Sequence, residues 1–167
     1  SSGSTGLESN YIEYFMADII NKVNGEYNEI NLKKTLWNSK ALSADVNDAI
    51  NPMFKEVHDS LNAAKLGYGI VVTKYTGSGG KYSSNDADAE FVHEIRTLLN
   101  KNNITWQIGM LGKVDEGGGG TVAKYLANFG IRTIDVGPAL LAMHSPFELA
   151  SKFDIYETYI SYKVFYK

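Results

Sequence analysis

The feature that most limits the fold of this chain is its alternation between short β-branched runs and segments with helically spaced apolar residues. The run Ile70-Val71-Val72-Thr73 is typical of a buried strand, whereas Phe91, Ile95 and Leu99 recur at the spacing of one helix face. The pattern predicts strands at residues 40–46, 69–75, 104–110 and 132–136, and helices at 7–23, 31–37, 86 or 88 to 100, 121–128 and 151–167. Residues 47–68, which include Pro52, are predicted to be mostly loop. Strands separated by helices indicate an α/β fold with a mixed or mostly parallel sheet packed between helices.

Composition narrows the class of protein further. A chain of 167 residues with 44% hydrophobic residues is long enough to bury a core, and no linker divides it into domains. The net charge of −3 and the pI near 5.6 provide no basic surface for nucleic acid. No apolar run approaches the roughly 18 residues that cross a bilayer, and the polar start lacks the regions of a signal peptide. We therefore expect a cytoplasmic protein without a membrane partner.

The chain has no cysteine, so a metal would have to be bound by His, Asp or Glu. Two such residues stand at the ends of apolar runs. His144 follows Leu140 to Met143 and precedes a Ser-Pro break and a predicted helix, and Asp45 interrupts the apolar stretch 41–46. Ligands bind at the ends of strands in open α/β sheets, so we expect the two side chains to converge as metal ligands. For His144 considered alone, a hydrogen-bonded core histidine is the competing interpretation.

The run Gly117-Gly118-Gly119-Gly120 separates a predicted strand from a predicted helix. It lacks the spacing of nucleotide-binding glycine motifs, and the preceding Asp115 and Glu116 would repel phosphate, so these two acids are predicted only to shape a pocket. Because glycine exposes the backbone, the run is predicted to receive a peptide or carboxylate. Lys65 and Lys81 are candidates for binding an acidic or terminal carboxylate of a substrate, although surface lysines are the commoner case.

Five segments in order resemble one enzyme family over nearly the whole chain. They are Ser43-Ala44-Asp45-Val46 followed by Asn51-Pro52, Asn62-Ala63-Ala64-Lys65-Leu66-Gly67, Thr73-Lys74-Tyr75-Thr76-Gly77, the stretch 112–127, and Met143-His144-Ser145-Pro146-Phe147-Glu148. They are similar to the C-terminal part of aminopeptidase I and aspartyl aminopeptidase, which are dinuclear zinc exopeptidases. The resemblance implies a metallo-aminopeptidase that removes N-terminal residues from peptide substrates by means of metal-activated water.

The resemblance also assigns roles. It implies that Asp45 ligates one zinc ion and His144 the other, with cobalt or manganese as alternative metals. The family's upstream histidine, bridging aspartate and catalytic glutamate pair have no counterpart here, and Gly3-Ser4-Thr5-Gly6 is similar to the stretch that comes after those glutamates. Residues 1–167 are therefore expected to be the C-terminal portion of a single catalytic domain that lacks its general base. The implied partners are the missing N-terminal portion and further copies in a homo-oligomer.

The sequence leaves two other classes of protein open. The chain could be a metal-free pseudo-enzyme or peptide-binding module that keeps the fold and the glycine-rich pocket. It could also be a structural interaction domain related to the peptidases only by descent. Among the remaining candidate residues, His58 is predicted to be a loop residue and His93 to lie on a solvated helix face, whereas the tyrosines of the last helix are predicted to serve packing.

Overall fold

The computed structural model describes residues 2–79, 82–113 and 115–167. Its centre is a four-stranded sheet in the order β1-β8-β3-β6. The strands are β1 (Lys40–Ser43), β8 (Arg132–Gly137), β3 (Ile70–Thr73) and β6 (Trp106–Ile108). Strand β8 runs parallel to β1 and antiparallel to β3, and β3 runs parallel to β6. The predicted α/β fold is confirmed, and of the two kinds of sheet that the sequence left open the structure has the mixed one.

Helices cover both faces of this sheet because successive strand residues point to opposite sides. Ile70, Val72, Ile134 and Val136 pack with one face of the amphipathic helix α3 (Ala89–Lys101) and with residues of α5 (Lys152–Phe165). Ala41 belongs instead to a second cluster, formed with α1 (Tyr11–Asn24), α2 (Glu29–Trp37) and α4 (Ala123–Asn128). The odd-numbered residues of β8, which include Asp135, therefore lie on the α4 side of the sheet.

Two smaller sheets extend this core. One has the order β10-β9-β2, formed by Leu149–Ala150, Ala139–Leu141 and Asn47–Asp48. The other has the order β5-β4-β7, formed by Tyr82–Asp86, Tyr75–Ser78 and Gly118–Gly119. The strand predicted at 40–46 is confirmed as β1 but ends at Ser43, three residues early, and the next strand, β2, pairs with β9 in another sheet. Strand β5 was missed because its sequence is polar and only its pairing with β4 makes it a strand.

Most helices were predicted with shifted ends. Helix α1 begins at Tyr11, four residues later than predicted. Helix α2 begins at Glu29, two residues before the predicted start, because the side chain of Asn28 caps it by accepting hydrogen bonds from the backbone N–H groups of Ile30 (2.8 Å) and Asn31 (3.3 Å). Bends and β10 occupy residues 145–150, and the helix predicted at 151–167 is confirmed as α5. A single turn of 3-10 helix at Lys55–Val57 interrupts the predicted loop.

Both terminal helices present apolar or aromatic side chains to solvent. Tyr11, Phe15, Ile19 and Val23 form a stripe along α1, with 39% to 77% of each residue exposed, and we call it the α1 stripe. The last helix packs through Tyr162, whose hydroxyl donates to the carbonyl of Val136 at 2.5 Å, while Tyr156, Tyr159 and Tyr166 are exposed. Among the described residues, no helix has the length and apolarity needed to cross a bilayer.

The N-terminus of α3 generates a stability prediction. Asp88 caps the helix by accepting from the N–H of Phe91 and also pairs with Arg132, which lowers the pKa of Asp88 to about 2. Asp88→Ala should lower the free energy of unfolding by about 1 to 2 kcal/mol at pH 7, because it removes both the hydrogen bond that caps the helix and the ion pair with Arg132. Asp88→Asn keeps a capping side chain and should cost about 1 kcal/mol or less, since the ion pair is partly exposed.

The sign of the pH dependence is set by the lowered pKa. The charge of Asp88 stabilises the fold fully above the ordinary pKa near 3.8 and loses that effect as the pH falls toward about 2. Denaturation measured between pH 7 and pH 2 should therefore show the difference between wild type and Asp88→Asn disappearing at the acid end. A difference that stays constant over this range would contradict the assigned role of the ion pair.

Candidate functional site

A cavity of about 500 Å³ lies where the loops after β1, β2 and β9 meet the glycine-rich segment. It is lined by residues with acidic, imidazole, apolar and bare-backbone groups: Asp45, Val46, Asp48, Asn51, Phe54, Val57, His58, Leu111, Gly112, Gly118, Gly119, Gly120, Thr121, Ala142, Met143 and His144. The lining combines ionisable groups with an apolar wall. Such a combination is typical of sites that bind and orient small molecules or peptide termini.

The side chain of Asp45 is fixed at this cavity by a hydrogen bond from the neighbouring backbone. It follows the end of β1 by two residues and is half-buried, and its Oδ1 accepts from the N–H of Val46 at 2.8 Å. The carbonyl oxygen of Asp45 lies against Gly137, where an added Cβ would approach it to 2.0 Å. Strand β8 therefore has to carry glycine at this position for the Asp45 loop to pass.

His144 reaches the same cavity from the turn between β9 and β10. Its backbone has φ of 68°, and Ala142 nearby has φ of 58°. Left-handed backbone is uncommon for residues other than glycine and is often found at functional sites. The N–H of His144 donates to Glu148 Oε1 at 2.6 Å, which closes the turn and presents the exposed imidazole.

The structure brings some predicted site residues together and separates others. Asp45, His144 and Gly118 to Gly120 share the cavity. Gly117 lines a separate small pocket with Lys113 and Asp115, and its carbonyl accepts from the N–H of Gly79. Lys65 is not part of the lining of the large cavity, because its ammonium lies over the ring of Tyr68, 5.6 Å from the centroid. Lys81 lies outside the described residues.

The glycines in the run 117–120 differ in what surrounds them, and therefore in why the position carries glycine. Gly118 has φ of 99°, and a Cβ there would lie 2.2 Å from the carbonyl oxygen of Gly77 on the paired strand β4. At Gly120 a Cβ would meet Ser83 at 2.7 Å. At Gly119 the nearest atom to an added Cβ is in Leu111 at 3.9 Å. Strand pairing thus requires Gly118, whereas Gly119 leaves backbone open to the cavity.

His58 and Asp48 are cavity residues that sequence reasoning did not assign to the site. His58 lies in a loop as predicted, but its side chain is only 2% exposed. The N–H of Asn51 donates to its Nε2 at 3.3 Å, and its Nδ1 lies 3.6 Å from Asp48 Oδ2. Burial raises the pKa of Asp48, while His58 acts in the opposite direction. By contrast, His93 lies exposed on α3, as predicted.

Asp135 was also missed. It is 3% exposed within β8, in a stretch that the sequence presents as an ordinary apolar strand. Burial raises its pKa to about 6, the nearby Ser43 and Thr121 hydroxyls act to lower it, and the charge of Asp45 raises it further. The signal available in the sequence was the carboxylate at the centre of a β-branched run.

The donor types fit a zinc site in part. Carboxylate and imidazole groups are usual zinc ligands, and Asp45 and His144 offer one of each to a single cavity. Within residues 2–79, 82–113 and 115–167, no cluster of three or more His, Asp or Glu side chains is arranged to hold a metal. A catalytic zinc ion usually has three protein ligands, so Asp45 and His144 alone are fewer than one such ion needs.

Two glycine substitutions test these roles. Gly119→Ala places a methyl group in the cavity without a clash. Its free energy of unfolding should therefore stay within about 0.5 kcal/mol of the wild-type value, while the binding of a peptide at the cavity should weaken. Gly137→Ala forces the Asp45 backbone to move and should destabilise the chain by about 1 to 3 kcal/mol. Thermal denaturation of both variants checks this. Equal stability of the two would contradict the steric argument.

Comparison with known proteins identifies relatives of the whole chain. The family model described as aminopeptidase I zinc metalloprotease (M18) matches residues 1–166. A protein of Borrelia garinii subsp. bavariensis, named probable M18 family aminopeptidase 1, is 64% identical over 168 residues, covering 100% of this chain and 37% of that protein.

Solved structures agree with the sequence relatives. The crystal structure of an M18 aminopeptidase from Thermotoga maritima superposes with a TM-score of 0.94 at 49% identity, covering 98% of this chain and 36% of that one. Aminopeptidase I from Clostridium acetobutylicum gives a TM-score of 0.88 at 47% identity, covering 100% of this chain and 35% of that one. The chain thus spans little more than a third of the length of these relatives.

Proposed function

The chain belongs to the M18 family, the aminopeptidase I zinc metalloproteases, and we propose that it is part of an aminopeptidase that removes N-terminal residues from peptides. The observation that carries the proposal is the meeting of Asp45 and His144 in one cavity, although they are far apart in sequence. In the proposed enzyme, Asp45 holds one zinc ion and His144 a second, with cobalt or manganese as substitutes. The missing ligands and the general base come from residues outside this chain.

The residues of this chain have defined tasks in the proposed reaction. Zinc, when bound, supplies a Lewis acid that polarises the peptide carbonyl and makes water more acidic. One carboxylate oxygen of Asp45, Oδ1, accepts from the N–H of Val46, and the other, Oδ2, would bind the metal. His144 is set by its turn, and neutral imidazole is the form that ligates. The open backbone at Gly119 and the apolar residues Phe54 and Met143 receive the peptide.

Activity measurements on the full-length protein and on this chain test the proposal. The 167-residue chain alone should show no turnover above background with zinc, cobalt or manganese, because it lacks the base and the bridging ligand. In the full-length protein, Asp45→Asn and His144→Ala should each lower activity more than about 100-fold, since even partners of ligands contribute about 10- to 100-fold. Release of the N-terminal residue and bound zinc are measured together.

His93→Ala serves as the matched control, because His93 is exposed on α3 and outside the cavity lining. It should leave turnover and zinc content unchanged. Turnover by the 167-residue chain that depends on His144 would show that the catalytic groups are misassigned. A full-length protein that binds peptide but holds no zinc would favour the alternative, a non-catalytic binding module.

We also propose that the exposed α1 stripe is covered in the intact protein, either by the remainder of the chain or by another copy in a homo-oligomer. Four apolar side chains at four-residue intervals form a continuous surface on one face of α1. Contiguous apolar surface of a few hundred Å² usually marks an interaction site. The exposed tyrosines of α5 add residues of a type that is enriched at interfaces.

Light scattering tests this expectation. The 167-residue chain should have a mass well above 18.4 kDa at high concentration, because its apolar face associates without its natural cover. The double variant Phe15→Lys/Ile19→Lys should shift the mass toward the monomer. Asn21→Lys adds charge to an exposed position on the other side of α1 and should not. A single species of about 18 kDa for wild type would contradict the proposal and favour a self-contained module.

A further inference from the structure

Close to Asp45 is a group of buried polar side chains that the proposed mechanism does not use. Asp135 is 3% exposed, Ser43 2% and Thr121 8%, and we call these three residues the buried cluster. They come from three elements: Ser43 from the end of β1, Asp135 from β8, and Thr121 from the end of the glycine-rich segment. Strand β1 is followed by the lining residue Asp45, Thr121 lines the cavity itself, and β8 leads through β9 to the lining residue Ala142.

The register of the central sheet fixes the cluster. Ser43 pairs with Asp135 across β1 and β8, and Thr73 pairs with Asp135 across β8 and β3. Paired residues project to the same face of a sheet, so Asp135 stands between two hydroxyl-bearing neighbours on the side that carries α4. Asp45 follows Ser43 by two residues. The carboxylate of Asp135 is therefore next to the backbone that delivers Asp45.

The Ser43 and Thr121 hydroxyls lie near the Asp135 carboxylate, but within the described part of the chain neither carboxylate oxygen makes a well-formed hydrogen bond, and the Ser43 hydroxyl has no partner either. A buried charge without partners destabilises a fold, and an uncharged replacement of similar shape is often neutral or stabilising. Structural stability alone therefore gives no reason for a carboxylate here. Groups that are costly for the fold are characteristic of functional sites.

We propose that Asp135 is a positioning residue for the metal site at Asp45. Its carboxylate lies near the Ser43 and Thr121 hydroxyls, where the end of β1 meets the glycine-rich segment, and it would place a second negative charge close to a cation held by Asp45. The charge attracts a divalent cation through a medium of low polarity, where charges interact more strongly than in water. This inference rests on the proposed metal site and concerns a residue that does not itself bind metal.

The experiment uses the full-length protein and measures zinc affinity by competition with a chelator. Asp135→Asn should weaken zinc binding about 10- to 100-fold, the usual effect of removing a residue that supports a metal ligand. Its melting temperature without metal should equal or exceed that of wild type, since the variant removes a buried charge. Ser43→Ala should weaken zinc binding by a smaller factor in the same direction.

Two further measurements separate positioning from a general loss of structure. The absorption spectrum of the cobalt-loaded protein should change in Asp135→Asn, because the geometry of the ligand Asp45 changes. Asp86→Asn is the matched control: Asp86 is an exposed carboxylate on β5, paired with Lys74, and its replacement should change neither the spectrum nor the affinity. If Asp135→Asn does not fold, Ser43→Ala decides the question by the same two readouts.

The outcomes are distinguishable. Wild-type zinc affinity and an unchanged cobalt spectrum in Asp135→Asn, with binding abolished in Asp45→Asn, would overturn the role of Asp135 and leave the proposed function intact. Wild-type protein that binds no zinc, or Asp45→Asn that binds as wild type does, would overturn the proposed function and this inference with it. Weakened affinity that only accompanies a lower melting temperature of the metal-free protein would also overturn it.

Discussion

The pairing of β8 between β1 and β3 is the interaction on which the rest of the structure depends. One side of this strand supplies Ile134 and Val136 to the core beneath α3 and α5. The other side supplies Asp135 and meets the α4 layer. Because β8 is parallel to β1, the ends of both strands lie at one edge, and the chain leaves β1 there as the Asp45 loop. After Gly137 the same chain continues through β9 to His144.

Close backbone contacts then decide where the site residues stand. Gly137 allows the Asp45 carbonyl to pass, and Gly118 allows β7 to approach β4. At both places an added Cβ would come within 2.2 Å of a backbone oxygen, a contact that only a movement of the chain could relieve. The cavity is thus shaped by the absence of side chains in its walls as much as by the side chains that line it.

The site also concentrates groups that are unfavourable for folding alone. His144 and Ala142 have left-handed backbone, His58 is a buried imidazole, and Asp135 is a buried carboxylate. Each of these features destabilises the folded state, and the packing of the surrounding core has to offset that effect. Their convergence around Asp45 is consistent with a region whose local conformation serves binding, and a bound cation would offset the concentration of negative charge.

The sequence by itself determined the α/β class, because this depends on local periodicity, and its short motifs predicted that Asp45 and His144 would meet in one cavity. It left Asp86 and Asp88 as alternative starts of α3, and the structure has Asp88 as the cap. It did not determine β5, the break after Ser43, or the burial of His58 and Asp135. Those features arise from pairing between distant segments: β4 makes a strand of a polar sequence, and β1 and β3 bury a carboxylate in β8. Tertiary structure alone also decided which glycines face the cavity and which face a neighbouring strand. The sequence shows that a residue lacks a Cβ, but not which atoms lie where a Cβ would be.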